Sequence, residues 1–399
     1  ILREMNEEGY SEDGATGSAR DYFVSQSIGM FTPVFDVVGP VTMDFPYRYY
    51  GSNRNDEEAK DNAPREMIFN ATKAAQAQGL IDIDSYDGDG DGYVDMVYVI
   101  YAGKGEADGG GPNTIWPHMS DIQGDAQFAF QTIEGKRLSL YACSAEKRGD
   151  GTFSGIGTFC HEYGHCLGLP DMYDTDYSGG FGLGDFDIMS GGGYNNKGNT
   201  PPAYSAFERY SLGWLELAEL DTDQDVTLQP LTSSNMAYRI STGREEEFFT
   251  VENRQYQDWD LYLPSRGLMI THIDYDEGIW QENIVNDDPE HPHVRIMAAD
   301  NVWSRSTQNG DLYPGTFDNH EFSDTSTPSA VLWDGHLLHK SLSDIQLAGI
   351  NVTFHFHTEP SGIAETTYNR RHPREAYITP DGIRWPGKPA WGAYKKVKK

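Results

Sequence analysis

The chain has 399 residues, a length that predicts two domains, and 38% of its residues are hydrophobic. Its formal net charge of −32 repels phosphate backbones and anionic lipid surfaces, so we expect no nucleic-acid partner. No apolar run approaches the ~18 residues of a membrane-spanning helix, so we expect no membrane span.

The chain begins ILREMNEEGY, with neither an initiator methionine nor a signal peptide, and we expect a trimmed or mature form. Residues 19–30 and 62–80 have helical character, the second segment ending near a glycine that suits a helix C-terminus. Between them, VFDVVGPVTMDF at 34–45 alternates like a strand, and further strands are predicted at 93–102 and 137–146. This order predicts mixed α/β structure.

An acidic loop, DGDGDGYVD, occupies residues 87–95. It matches the first nine positions of a Ca²⁺ loop of the EF-hand type, in which Gly92 permits the sharp turn. The expected ligands, at relative positions one, three, five, seven and nine, are Asp87, Asp89, Asp91, the carbonyl of Tyr93, and Asp95. Position twelve is Tyr98 rather than glutamate, so water or a distant carboxylate would complete the shell. We expect a structural Ca²⁺ here; the alternative is a solvated acidic turn.

The segment GTFCHEYGHCLGLPDMYD at 157–174 contains the arrangement H-E-x-x-H. Residues four apart lie on one side of a helix, so His161 and His165 can share a metal ion while Glu162 lies beside it. In zinc peptidases with this arrangement the glutamate acts as general base on a zinc-bound water. The alternative is a helix whose histidines hydrogen-bond ordinary partners.

A catalytic zinc needs a third protein ligand. Gly168 allows the chain to leave the helix in a left-handed turn and double back. That reversal can bring Asp171 to the metal, and a carboxylate oxygen is a suitable zinc ligand. Asp174 is the alternative third ligand.

Met189 stands eighteen residues past Asp171, in the segment GDFDIMSGGGYN. In metzincin peptidases a methionine-containing turn passes beneath the zinc, and its thioether forms an apolar floor against the histidine ligands. Met189 is placed to act as this methionine, although an isolated methionine is more often a plain core residue.

Beyond residue 216 the sequence changes to short β-like runs with turn signals, among them DVTLQPL, EFFTVENRQ and INVTFHFH. We place a domain boundary there. The C-terminal segment is basic, with nine Lys or Arg against three Asp or Glu in residues 360–399. It suits a solvated end, a small β element or a sorting segment.

Two stretches carry a resemblance to a known family: GIGTFCHEYGHCLGLPDMYD and FDIMSGGGYNNKGNTPPAYSAFERYSLGW. The chain resembles the immune inhibitor A family of secreted, bacterial, metzincin-like zinc peptidases. The resemblance implies an α/β metzincin-like zincin catalytic domain, with a twisted mixed sheet plus helices, at 1–215. A β-rich, sandwich-like domain would follow at 216–358, and a basic C-terminal tail at 359–399.

The resemblance also implies roles for individual residues. The zinc ligands would be His161, His165 and Asp171, with Glu162 as the base and Met189 as the turn methionine. Many metzincins instead have histidine as the third ligand. Some metzincins also place a tyrosine two residues after the turn methionine. That position is Gly191 here, which leaves Tyr194 as the nearest candidate for a transition-state or substrate contact.

Together these features predict a secreted zinc-dependent endopeptidase with a catalytic Zn²⁺ and a structural Ca²⁺. It would act as a monomer on protein or peptide substrates, outside the cell, at the cell surface or in the periplasm. One rival is a calcium-stiffened binding or adhesion protein with a vestigial zinc site, although the presence of Glu162 argues against it. Another rival is a zinc hydrolase of a different amide or ester.

Overall fold

The computed structural model describes residues 1–54 and 61–358, together with the backbone of three short C-terminal strands, Ala376–Ile378, Arg384–Trp385 and Lys395–Val397. The rest of the predicted basic tail lies outside the described residues. Throughout the described part of the chain, every helix is too short or too polar to cross a lipid bilayer.

The two described ranges contain both helices and strands. The α-helices are α1 (Leu2–Asn6), α2 (Ala19–Gln26), α3 (Tyr47–Gly51), α4 (Pro64–Ala77), α5 (Gly157–Cys166), α6 (Ala206–Ser211), α7 (Leu231–Ser234) and α8 (Glu277–Glu282). The strands are β1 (Tyr93–Val94), β2 (Val97–Lys104), β3 (His118–Asp121), β4 (Arg137–Leu138), β5 (Leu140–Lys147), β6 (Ala218–Glu219), β7 (Gln224–Leu228), β8 (Tyr238–Ser241), β9 (Glu247–Arg254), β10 (Gly267–Asp274), β11 (Val294–Ile296), β12 (Lys340–Ala348) and β13 (Asn351–Thr358).

A three-stranded mixed sheet lies beside helix α5, in the order β2-β5-β3. Strands β2 and β5 are parallel, whereas β3 is antiparallel to β5 and forms the edge, with His118 opposite Cys143. Helix α5 packs against β5 and β3. The mixed α/β structure predicted from the sequence is therefore confirmed.

Both predicted N-terminal helices form, but they are shorter than expected. Helix α2 begins with a capping box in which Ser18 and Asp21 exchange side-chain-to-backbone hydrogen bonds of 3.0 and 3.1 Å. Helix α4 begins at Pro64, a residue suited to the first turn, and Gly79 just beyond its end has a φ of +69°.

The predicted strand at 34–45 was wrong, because no residue of this segment pairs in a β-ladder. Gly39 has a φ of +110°, outside the extended region, and Pro40 has no N–H to donate to a neighbouring strand. The alternation of apolar residues is therefore not sufficient to make a strand here.

The second half of the described chain contains two further sheets, a five-stranded sheet in the order β11-β10-β9-β8-β6 and a three-stranded sheet in the order β12-β13-β7. All eight residues of β9 are buried. One apolar core contains Phe159 and Met189 together with Met269 and Ile273 of β10. Side chains from both sides of the predicted boundary at 216 thus pack together, and the division into domains stays a prediction.

Arg254 on β9 is a buried cation that connects three chain segments. Its Nε and Nη2 donate to Asp260, each at 2.7 Å, and its Nη1 donates to Glu252 at 3.1 Å. The same Nη2 donates to the carbonyls of Phe186 and Ala203, each at 3.1 Å. The guanidinium therefore holds the segment that leads into Met189 against the five-stranded sheet.

We predict that Arg254→Met destabilises the fold by about 3–5 kcal/mol, because it leaves the Asp260 and Glu252 carboxylates buried without their cation. The matched control is Arg3→Met. Arg3 pairs with Glu7, and because the two side chains are 58% and 42% exposed, the loss of this pair should leave the free energy of unfolding nearly unchanged. Urea unfolding of both variants measures the difference, and equal losses would contradict the role given to Arg254.

Candidate metal centre and active site

Helix α5 presents two imidazoles whose Nδ1 atoms are hydrogen-bonded to backbone carbonyls. The ring centroids of His161 and His165 lie 4.8 Å apart. The Nδ1–H of His161 donates to the carbonyl of Ile188 at 2.7 Å, and that of His165 to the carbonyl of Leu169 at 2.8 Å. In the neutral form of each ring, these two hydrogen bonds place the proton on Nδ1 and leave a lone pair on Nε2. Both Nε2 atoms are therefore available to bind a metal.

The chain reverses after α5 at Gly168, whose φ is +93°, as the sequence predicted. The reversal brings Asp171 to the histidines. Its Oδ1 lies 3.1 Å from Nε2 of His161 and 3.3 Å from Nε2 of His165. This oxygen is buried and receives no hydrogen bond from any described residue. Two imidazoles and a carboxylate around one point fit a zinc ion with three protein ligands and a fourth position left for water or substrate.

The three groups have strongly altered proton affinities in the absence of a cation. Burial lowers the pKa of His161, but the Asp171 carboxylate outweighs this effect and raises the pKa to about 9. The same balance raises the pKa of His165. Burial alone would raise the pKa of Asp171, yet the two imidazoles hold it well below its usual range. A metal must therefore displace protons from this site, so its affinity falls as the pH falls.

Asp174, the alternative third ligand, does not lie with the two histidines. Its Oδ2 accepts hydrogen bonds from the backbone N–H groups of Gly179 and Gly180 at 2.7 and 2.8 Å. It groups instead with Asp176 and Asp287. The geometry thus favours Asp171 as the third ligand.

Asn283, which the sequence-based predictions did not include, fixes the orientation of Asp171. Its Nδ2 donates to Oδ2 of Asp171 at 2.7 Å, and its Oδ1 accepts the backbone N–H of Asp171 at 2.6 Å. Asn283 follows helix α8 with a φ of +58°, a conformation that asparagine tolerates better than most residues. An asparagine just after a helix was the only local signal that could have pointed to Asn283. Its contact with Asp171 could not be predicted locally, because the two residues are 112 positions apart in the sequence.

Met189 is fully buried and lies against α5 at Gly164. A Cβ placed on Gly164 would stand only 2.5 Å from the sulfur of Met189, so the helix and the methionine can approach this closely only because residue 164 is glycine. The N–H of Met189 donates to Asp187 at 2.7 Å, and its carbonyl accepts the N–H of Met172 at 2.7 Å. The methionine turn is therefore bonded to the loop that carries Asp171.

Glu162 is buried at the centre of a cleft, where burial raises its pKa and the two histidines oppose that shift. Two cavities, of about 420 and 260 Å³, are both lined by Glu162. The residues that line both cavities are Trp116, Pro117, His161, Glu162 and Tyr173. Edge strand β3 and Trp280 line only the smaller cavity, whereas Ser190 lines only the larger one.

Tyr194 also lies in the cleft, but only on the side of the larger cavity. It is 39% exposed, and the guanidinium carbon of Arg148 lies 6.0 Å from its ring centroid. Tyr194 is therefore placed to contact a substrate beside the metal site.

The acidic loop brings three of its predicted ligands together, because ligand atoms of Asp87, Asp89 and Asp91 lie within 4.8 Å of one another. Asp95 directs its Oδ2 to the N–H of Gly88 at 3.0 Å, and the N–H of Tyr93 donates to Asp91 at 2.8 Å.

Asp87 shows two opposing features. Its Oδ1 is buried without a hydrogen-bond donor among the described residues, a position that suits a ligand of a cation. However, the ammonium group of Lys136 lies 2.5 Å from its Oδ2.

Taken together, two free imidazole nitrogens, a carboxylate facing them and a glutamate in a cleft beside an edge strand are typical of a metal-dependent peptidase.

Comparison with known proteins identifies the family. The profile of the immune inhibitor A peptidase M6 catalytic domain matches residues 4–216. Immune inhibitor A of Bacillus thuringiensis subsp. alesti is 32% identical over 246 residues, which cover 53% of this chain and 35% of that protein. Pre-pro-metalloprotease PrtV of Vibrio cholerae serotype O1 (strain M66-2) is 28% identical over 240 residues, which cover 51% of this chain and 25% of PrtV. The matched region spans well under half of either relative. Because the family profile covers more than half of the chain, the chain belongs to the immune inhibitor A peptidase M6 family.

We predict that Asn283→Ala weakens zinc binding by about 10–100-fold, because Asp171 loses the donor that orients it. Asn301→Ala is the matched control, since Asn301 has the same φ of +58° but is exposed and lies outside the cleft. Competition with a chromogenic zinc chelator measures both affinities. An Asn283→Ala protein that binds zinc as tightly as the Asn301→Ala protein would contradict the role assigned to Asn283.

Proposed function

We propose that the chain is a zinc-dependent endopeptidase with a metzincin-like catalytic domain. The observation that carries the proposal is the position of Asp171, whose unsatisfied Oδ1 lies 3.1 and 3.3 Å from two imidazole nitrogens with Glu162 beside them. Family membership supports the same activity.

In this proposal His161, His165 and Asp171 hold the zinc. Bound zinc supplies Lewis acidity, which activates water and polarises the scissile carbonyl at neutral pH. The Glu162 carboxylate accepts a proton from the attacking water and then delivers it to the amine nitrogen that leaves. Because Asn283 and the backbone carbonyls fix the ligands, these groups keep one orientation throughout the reaction.

The cleft suits an extended peptide chain. Strand β3 is the edge of its sheet and lines the smaller cavity, so its free side can pair with the backbone of a substrate. Tyr194 would contact the substrate in the larger cavity. Protein and peptide substrates are therefore the class we propose.

We further propose that the protein acts as a monomer outside the cell, at the cell surface or in the periplasm. The division into a catalytic domain at 1–215, a β-rich domain at 216–358 and a tail at 359–399 also stays a proposal. Trp280 and Asn283, both beyond residue 216, line the smaller cavity, so the second segment would help to form the active site.

The decisive variant is Glu162→Gln, which keeps the shape of the side chain but removes its basicity. We expect kcat to fall about 10²–10⁴-fold, whereas the zinc content stays at the wild-type level, because Glu162 is not a ligand. Glu290→Gln, at an exposed acidic residue, is the control. Cleavage of casein and of a fluorogenic peptide library, together with metal analysis, provides the readouts.

Two results would contradict the proposal. The first is an absence of cleavage by wild-type protein loaded with zinc. The second is cleavage that continues at full rate after a chelator has removed the metal.

We propose in addition that the acidic loop binds a structural Ca²⁺ through Asp87, Asp89, Asp91, Asp95 and the carbonyl of Tyr93. Support comes from the three clustered carboxylates and from the buried, unsatisfied Oδ1 of Asp87. Lys136 must then release Asp87 when the ion enters, because both cations compete for the same carboxylate.

Because Lys136 and Ca²⁺ compete for Asp87, two substitutions should change the Ca²⁺ affinity in opposite directions. Lys136→Met should tighten Ca²⁺ binding several-fold, and Asp89→Ala should abolish it, whereas Glu134→Gln outside the loop should change little. Isothermal titration with Ca²⁺ measures all three. If Lys136→Met binds no more tightly than wild type, the ion does not enter at Asp87.

A further inference from the structure

Five residues line both cavities, so a substrate that spans the two cavities passes beside them. They are Trp116, Pro117, His161, Glu162 and Tyr173. His161 and Glu162 already have roles as ligand and base. Tyr173 is the only tyrosine in this set, and its ring centroid lies 6.5 Å from that of His161.

The backbone at Tyr173 is held by its two neighbours in the sequence. Met172 is fully buried, and its carbonyl accepts hydrogen bonds from the N–H of Leu183 at 3.1 Å and from Nδ2 of Asn286 at 3.0 Å. Asp174 is also buried and is fixed through Oδ2 by two backbone N–H groups. The backbone on both sides of Tyr173 is therefore held in place.

The hydroxyl of Tyr173 is available as a donor. No hydrogen bond joins it to another described residue, and Tyr173 is only partly buried. By contrast, the hydroxyl of the fully buried Tyr22 donates to the carbonyl of Pro202 at 2.8 Å. A phenol with an unused O–H beside a metal ligand and a general base can stabilise negative charge that develops on a substrate carbonyl oxygen.

We propose that Tyr173 is a catalytic residue that donates a hydrogen bond to the oxyanion of the tetrahedral transition state. This inference rests on the proposed peptidase function. The transition-state contact, for which the sequence suggested Tyr194, is thereby assigned to Tyr173. The reason is that Tyr194 lines only the larger cavity, whereas Tyr173 lines both. Tyr194 then contacts the substrate rather than the reacting carbonyl.

The test uses Tyr173→Phe in the zinc-loaded full chain. We expect kcat on a fluorogenic peptide to fall about 10²–10³-fold, as for the loss of one oxyanion donor, while KM changes less than threefold. Zinc content and thermal midpoint should match those of wild type. A phosphinic peptide, whose tetrahedral phosphorus mimics the transition state, should bind about 10²-fold more weakly to the variant.

Two further variants complete the experiment. Tyr256→Phe, at a tyrosine that lines neither cavity, should behave like wild type. Tyr194→Phe tests the rival assignment and should affect KM more than kcat. Wild-type kcat in Tyr173→Phe, a loss confined to KM or to zinc content, or the large kcat loss in Tyr194→Phe instead would each overturn the inference. Failure of the proposed function is a separate result, since it appears as inactive wild-type protein before any variant is compared.

Discussion

The site depends on a carboxylate oxygen that accepts no hydrogen bond from any described residue. Oδ1 of Asp171 faces two imidazole nitrogens whose protons lie on the far side of each ring, so three acceptors point at one another in a buried place. Such an arrangement is unfavourable without a cation or extra protons at its centre. Contacts with the surrounding residues hold the three acceptors together.

Those contacts come from several separate segments of the described chain. Gly168 reverses the backbone, Gly164 admits Met189 against the helix, and the carbonyl of Ile188 holds one imidazole. Asn283 reaches Asp171 from a segment more than a hundred residues away. Arg254 in turn fastens the start of the methionine turn to the five-stranded sheet, so a buried ion pair far from the metal supports the floor of the site.

The same arrangement explains why the cleft has two halves. The helix presents His161 and Glu162 at its centre, the edge strand lies along one side, and the methionine turn with Tyr194 lies along the other. A peptide bound along the edge strand would place its scissile carbonyl between these halves. Tyr173 follows Asp171 by two residues. The chain reversal that brings Asp171 to the histidines therefore also brings the Tyr173 phenol into the cleft.

The sequence by itself determined the local chemistry: two histidines four apart on a helix, a glycine able to reverse the chain, and an aspartate in the reversed segment. These follow from helical geometry and from backbone freedom, which act over a few residues. Alternation of apolar residues, by contrast, wrongly predicted a strand at 34–45, because pairing requires a partner that the pattern does not contain. Only the tertiary structure separated Asp171 from Asp174, selected Asn283 and placed Tyr173 rather than Tyr194 at the centre of the cleft. Those choices depend on contacts between distant segments, and such contacts are decided by how the whole chain packs.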